Sequence, residues 1–383
     1  MRCGYFEDGR CRSCSHLRTP YQQQLDAKAE HARAVLADCR GLRWLPPVPS
    51  RPSGFRNKAK MVVAGTVDAP TLGILDAGGD GTDLRACGLY SPAMQAFLPE
   101  VAAFITTAGL TPYDVGLRRG ELKHVLVTES PSGQYLVRFV LRSTESLPRL
   151  RKHLPGFLDA NPAAVVVSAN LQPEHKAVLE GPEEIVLTEQ TTLPVTVNDV
   201  DLHLGARSFF QTNTDVAAAL YRQAREWADG LEPRQVLDLY CGVGGFAMHL
   251  AAPGRRVLGV ELSEQAVHSA RAAAREQGLL DVEFAAGDAT DPSHVTGGIG
   301  AQAAAADLVV VNPPRRGLGP ELCAWIEASA AQALIYSSCR VETLARDLAA
   351  LPSFRAEQAR LLDMFPHTDH YEVIVLLRRQ VPQ

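Results

Sequence analysis

The chain has 383 residues, 46% of them hydrophobic and 21% charged, a composition that excludes a disordered polymer and leaves room for two or three domains with cores of their own. Its net charge of −5 excludes any global attraction to nucleic acid, so a polyanionic partner must meet a local basic patch. The opening MRCGYFEDGR lacks an apolar signal segment, and no run approaches the roughly 18 uninterrupted apolar residues of a membrane span, which points to a cytoplasmic protein.

Cys3, Cys11 and Cys14 come first, in a C-x7-C-x2-C spacing among Gly, Arg and Ser, with little apolar sequence to bury them. With Cys87, in the Gly-rich GGDGTDLRACGL, they suit a four-thiolate site for either zinc or an iron–sulfur cluster. Residues 21–38 have helical periodicity after a Thr-Pro start, and Gly41 and the proline-rich LPPVPSRPSG end them. A β-rich stretch follows, in which AKMVVAGTV and TLGILDA are expected to pair as one hairpin and LKHVLVTES and QYLVRFVLR as another. Helices at 93–108 and 145–154 and the strands AAVVVSAN and EIVLTE complete an α+β region.

From about residue 205 the rhythm changes. QVLDLY, a helix from 245, RRVLGVEL, a helix over 263–276, VEFAAGDA, DLVVVNPPR, a helix near 320–331 and QALIYSSC alternate in a way that predicts a parallel, doubly wound sheet. SFRAEQARLLDMF and HYEVIVLLR are expected as closing antiparallel strands. The division is placed near residue 200, giving parts 1–200 and 201–383, with the helix over 21–38 free to pack on the second.

The chemistry gathers at the strand ends. DLYCGVGGF offers an acidic strand end and a Gly-rich turn, though not G-x-G-x-x-G. Glu261 ends the next strand nineteen residues after Gly242, where a carboxylate can accept bonds from two ribose hydroxyls. Asp288, ending the third strand, is placed to meet an adenine edge. Acidic strand ends without a phosphate cradle favour S-adenosylmethionine over a nicotinamide dinucleotide. Asn312, in VVVNPPRRG, points into the same cleft from a rigid corner, and Arg315 stands where amine methylases place an aromatic. The fifth strand delivers Cys339 to the same edge.

In that order SFFQTN, DLYCGVGGFA, VNPPRRG, YSSC and MFPHTDHYEV resemble the S-adenosylmethionine-dependent RNA uracil-C5 methyltransferases (the RNA M5U methyltransferase family). The cysteine set with GFRNKAKMVVAG is most similar to the bacterial 23S ribosomal RNA branch. The resemblance spans essentially the whole chain. It implies a Rossmann-like methyltransferase domain after an N-terminal iron–sulfur and α+β RNA-binding region, with no room before Cys3 for the small TRAM barrel of some relatives. It further implies conversion of uridine to 5-methyluridine in 23S ribosomal RNA, of the uracil-747 type, by a monomer. Cys339 would be the nucleophile that adds to uracil C6, and Glu372 the base that removes the C5 proton. Gln211 and Tyr240 would join Gly242, Glu261, Asp288 and Asn312 around the cofactor, although several relatives carry Asp at the position of Asn312. Cys3, Cys11, Cys14 and Cys87 would hold a four-iron four-sulfur (4Fe-4S) cluster.

Two other functions fit parts of this pattern: the same reaction on transfer RNA, and a non-catalytic ribosomal-RNA binder that keeps the fold. RNA contact is expected from the first part, where eight Arg or Lys stand against three Glu between Arg118 and Lys152, and from Arg56, Lys58 and Lys60. The substrate would be an unpaired uridine able to leave its stack. His367 and His370 flank Glu372 and could hydrogen-bond a base.

Overall fold

The structure, a computed structural model, describes residues 1–176, 178–290 and 305–380. It divides into two compact units. The first comprises Met1–Ser15, Arg51–Thr196 and Leu204–Arg207, and the second His16–Ser50, Val197–His203 and Ser208–Gln383.

A seven-stranded sheet forms the first unit, in the order Gly81–Asp83, Pro70–Leu75, Lys58–Gly65, Leu122–Glu129, Tyr135–Leu141, Ala164–Leu171 and Glu183–Val186. Both expected hairpins are present, Val62 facing Gly73 in one and Val125 facing Phe139 in the other. Neighbouring strands run antiparallel except Tyr135–Leu141 and Ala164–Leu171, which are parallel and joined by the helix Leu147–Ala160. That helix and Pro92–Thr107 cover one face, where Phe97 stacks on Tyr135 at 4.0 Å and Phe104 meets Phe157 at 4.6 Å. Ser91 caps the second of these helices, its side chain accepting from the Met94 amide.

The second unit is built on eight strands in the order Arg43–Trp44, Phe354–Leu362, Glu372–Arg379, Ala333–Ser338, Leu308–Val311, Gln235–Leu239, Arg256–Glu261 and Val282–Ala286. The five from Ala333–Ser338 to Val282–Ala286 are parallel. Leu308–Val311 and Ala333–Ser338 are buried along their whole length, as a strand covered on both faces must be, and LVVV with the ALIY that begins the second read as apolar runs for that reason. The last two long strands pair antiparallel, as expected. The chain reverses between Leu308–Val311 and its neighbour Gln235–Leu239, so the carboxyl ends of both open at the switch point where doubly wound sheets bind ligands.

Several elements escaped the sequence reading, among them the two-stranded sheet of Thr192–Val197 and Val200–Gly205. Thr214–Leu231 is an 18-residue helix capped by Asn213, and Val341–Ala349 is a helix directly after Cys339. Arg43–Trp44 adds itself parallel to the edge of the sheet, Trp44 beside Ala359. The helix after the Gly-rich turn is only five residues long, Gly245–His249. No described helix is long and apolar enough to cross a membrane.

The helix Tyr21–Val35 belongs to the second unit, where Leu25, Ala29 and Ala32 enter the apolar core beside Tyr371 and Val373. Its polar side is bound as tightly. Lys28, 5% exposed, donates to Asp363 Oδ1 at 2.7 Å and to the Phe365 carbonyl at 3.0 Å, and Tyr21 donates to Asp363 Oδ2 at 2.8 Å. Gln24 receives the His367 amide at 2.8 Å and donates to the carbonyls of His16 and Thr19. The helix therefore holds the segment 363–371 that leads into Glu372.

Candidate active site

The Gly-rich turn is shaped by its own hydrogen bonds. Tyr240, Gly242 and Gly244 all have positive φ, at 62°, 56° and 87°. Tyr240 pays a conformational cost there that glycine would not. A Cβ on Gly244 would lie 2.7 Å from the Phe284 ring, so the turn tolerates no side chain at that position. Three of the turn's amides are already engaged: Gly242 donates to Glu261 Oε2 at 3.1 Å, Gly244 to the Cys241 carbonyl at 2.9 Å, and Ala247 to Asp238 Oδ2 at 2.9 Å. Three donors that a pyrophosphate cradle would draw on are thereby occupied. The turn presents carboxylates instead.

Glu261 Oε1 takes the Ser263 amide at 3.0 Å, so each carboxylate oxygen has one protein donor and a lone pair left for a hydroxyl. Asp238, fully buried, keeps Oδ1 without a partner among the described residues, and burial pushes its carboxyl up to about 8. The Tyr240 hydroxyl is likewise buried without a described partner. Gln211, Tyr240, Gly242, Glu261, Asn312, Cys339 and Glu372 line one cavity of about 420 Å³, whose remaining wall is largely Phe and Pro. Acidic hydrogen-bond acceptors at one end, apolar walls and orphaned polar atoms suit an adenosine with a bare ribose. Asp288 is the one expected cofactor residue outside the lining; its Oδ1 accepts from the Thr290 amide and hydroxyl at 2.8 and 2.7 Å.

Cys339 follows the strand Ala333–Ser338 and is half-buried. Ser338 pairs with Val373 across the antiparallel ladder, so the register continued by one residue sets Cys339 opposite Glu372, on the same face. Glu372 is 2% exposed, and its Oε1 accepts from Ser337 Oγ at 2.5 Å and, more weakly, from Asn312 Nδ2 at 3.5 Å. Burial raises its carboxyl to about 7, against the opposing pull of those two donors. Burial also raises the Cys339 thiol, as does the nearby Glu372 charge, while the Arg315 guanidinium pulls it back down. A thiol pulled down by a cation beside a carboxyl that is half-ionised near neutrality is an arrangement chemically able to supply a nucleophile and a base.

Arg315 and Ser337 were missed as members of this site. Arg315 was visible after the paired prolines, but nothing local connects it to a cysteine 24 residues later. Of the two histidines, His370 lines the cavity. His367 is 1% exposed and serves the loop, its ring nitrogen 3.2 Å from Gln24 and its carbonyl receiving the His16 amide.

In the first unit the Cys14 thiol is raised to about 11 by burial and by Cys87, Cys11 and Cys3 in turn, and Cys87 also feels Cys3 and Cys11. The four thiols are thus neighbours, with Arg56 the cation that favours the ionised form of Cys14 and Cys87. Among the described residues no group of three or more His, Cys, Asp or Glu is drawn together as a metal site.

The expected basic face is smaller than its count. Arg138 is buried against Glu180 and Glu184, Arg142 pairs with Glu121 and Arg149 with Glu145 at 2.6 Å each, and Lys123 is buried on Gln172 and the Glu174 carbonyl. Half of the eight cations are therefore engaged by partners within the protein, and Arg118, Arg119, Arg151 and Lys152 remain exposed.

The family model for tRNA (uracil-5-)-methyltransferase matches residues 183–380. A protein of Yersinia pestis named 23S rRNA (uracil(747)-C(5))-methyltransferase RlmC is 47% identical over 98% of this chain and 99% of its own. One of the same name from Pectobacterium carotovorum is 46% identical over the full length of both. The crystal structure of Pyrococcus abyssi tRNA (uracil-54, C5)-methyltransferase in complex with S-adenosyl-L-homocysteine superposes with a TM-score of 0.78 at 26% identity, over 95% of this chain and 85% of that one. Sequence, fold and the thiol–carboxyl pair converge: the chain belongs to the tRNA (uracil-5-)-methyltransferase family.

Proposed function

We propose that the protein methylates C5 of a uridine in 23S ribosomal RNA, the uracil-747 target named for its relatives, with Cys339 as nucleophile and Glu372 as base. The observation that carries this reading is that both side chains line one cavity, at the ends of adjacent strands, with the Glu372 charge acting on the Cys339 thiol. Its other end, with Gln211, Tyr240, Gly242, Glu261 and Asn312, would hold S-adenosylmethionine, and Asp288 would close it from outside the lining. When bound, S-adenosylmethionine supplies an electrophilic methyl group.

Uracil C5 is a weak carbon nucleophile. The Cys339 thiolate adds to C6, and the electron pair displaced from the C5–C6 bond makes C5 an enolate carbon able to take the methyl. Glu372 in its carboxylate form then removes the C5 proton, the double bond re-forms and the C6–sulfur bond breaks, returning the thiolate. A carboxyl near 7 accepts that proton and releases it to solvent at neutral pH. Arg315 favours the thiolate before it adds and again once it is released.

Cys3, Cys11, Cys14 and Cys87 would hold a 4Fe-4S cluster, a reading supported by the mutual influence of the four thiols. No electron is needed for the methyl transfer, and the cluster's role would be to fix this terminal segment.

The test is Cys339→Ala: methyl transfer is expected to vanish while RNA binding persists, and undiminished methylation would remove the thiol from the mechanism. Mapping 5-methyluridine in ribosomal and transfer RNA from a strain lacking the gene separates the proposed target from a transfer-RNA one.

A further inference from the structure

A second cavity in the same unit, about 680 Å³, meets the first at Cys339, Arg315 and His370. Its floor is the helix Tyr21–Val35 with the turn before it, through Thr19, Gln23, Lys28 and His31. The opposite wall is the start of the helix Val341–Ala349 and the segment 368–371. Neither the methyl donor nor the target base accounts for this space.

Its charges are largely settled among themselves. Lys28 is held by Asp363, Asp369 faces His16 at 2.5 Å, and Glu342 lies 3.6 Å from Arg340 and 3.8 Å from His31. A floor so balanced does not call for a run of phosphates. The Gln23 side chain is exposed on this floor, and its amide and the Thr19 hydroxyl have no partner among the described residues. Those are groups that read the edge of a base. The exposed guanidinium groups of Arg315 and Arg340 flank Cys339, where the two cavities join. A uridine whose C6 is bonded to Cys339 remains tied on both sides to the rest of its strand, so an adjoining nucleotide must lie within one linkage of that sulfur.

Resting on the function proposed above, we infer that the second cavity seats one of the two nucleotides adjoining the target uridine. Its base lies over Gln23 and Thr19, and the linking phosphate meets Arg315 and Arg340. This makes Thr19 and Gln23 specificity-determining residues, and it assigns the family's reaction a dependence on the neighbour's base as well as on the uridine.

The experiment uses the full chain, a ribosomal RNA stem-loop containing the target uridine, and two matching RNAs in which one or the other adjoining nucleotide is made abasic. Formation of 5-methyluridine in the intact RNA by the unmodified protein comes first; its absence with every RNA sinks the functional reading itself. With that product present, removal of one adjoining base is expected to lower kcat/KM about tenfold, the loss of a contact of ordinary stacking and hydrogen-bond strength. The Gln23→Ala/Thr19→Val protein should lose a similar factor on the intact RNA and almost nothing more on that abasic RNA. Rates that ignore both abasic substitutions, or a variant whose loss is as large on the abasic RNA as on the intact one, would overturn the inference while leaving the methylation reading in place.

Discussion

Glu372→Gln is expected to make the protein more stable and inactive at once. The folded carboxyl keeps its proton up to about pH 7 because it is fully buried, whereas an ordinary one releases it near 4.5. Between those values the native state binds more protons than the unfolded chain, so stability falls as pH rises from about 4.5 to about 7 and stays at its lower level above. The difference of 7 minus 4.5, at about 1.36 kcal/mol for each pH unit, sets an upper limit of roughly 3 kcal/mol on that loss. Glutamine keeps an acceptor for Ser337 Oγ and Asn312 Nδ2 but carries no charge, so its stability lacks this slope. At pH 8 the variant should melt higher than the parent by several degrees, at about 2 to 4 °C for each kcal/mol in a unit of this size; near pH 4.5 the two should coincide. Calorimetric melts of both proteins at pH 4.5, 6, 7 and 8 measure this directly. A gap in Tm that is the same at every pH, or a variant that melts lower at pH 8, refutes the assignment of a buried, proton-retaining carboxyl.

The same substitution should trap the protein–RNA adduct, because the thiol cannot leave until the C5 proton does; a band surviving denaturing electrophoresis would show it. Arg315→Ala removes the cation that favours the Cys339 thiolate, so the pH at which kcat/KM reaches half its alkaline plateau should move upward, with Arg315→Lys restoring part of the change. Lys28→Met leaves Asp363, 0% exposed, charged and without its ammonium partner; a loss of about 3 to 5 kcal/mol in denaturant unfolding is expected, and Lys28→Met with Asp363→Leu should recover much of it.

What the sequence discloses about this molecule divides along the range of the interactions involved. The strand ends bearing Gly242, Glu261, Asn312 and Cys339 could be read because each pairs a buried apolar run with an abrupt polar stop, a pattern complete within about ten residues. The two hairpins of the first unit are local in the same sense. Thr214–Leu231 also had a local signature, an Asn cap followed by a periodic apolar face, and was simply not recognised. Other features had none. Whether Arg138 meets a phosphate or Glu184 is decided by a residue 46 positions away, and the burial that gives Glu372 its high proton affinity comes from strands scattered over the second half of the chain. Likewise, the second cavity exists only where residues near 20, 340 and 370 come together.

The grip of Tyr21–Val35 on residues 363–371 has a consequence for biogenesis. The helix leaves the ribosome among the earliest segments, yet Asp363 and His367 stand some 335 and 343 positions beyond their partners Lys28 and Gln24. Until residues 363–371 have been synthesised, the greasy side of that helix has no permanent home, and contacts of such high sequence separation form late and slowly. Translation stalled shortly before residue 363 should therefore yield a nascent chain that holdase chaperones bind through its beginning rather than its end.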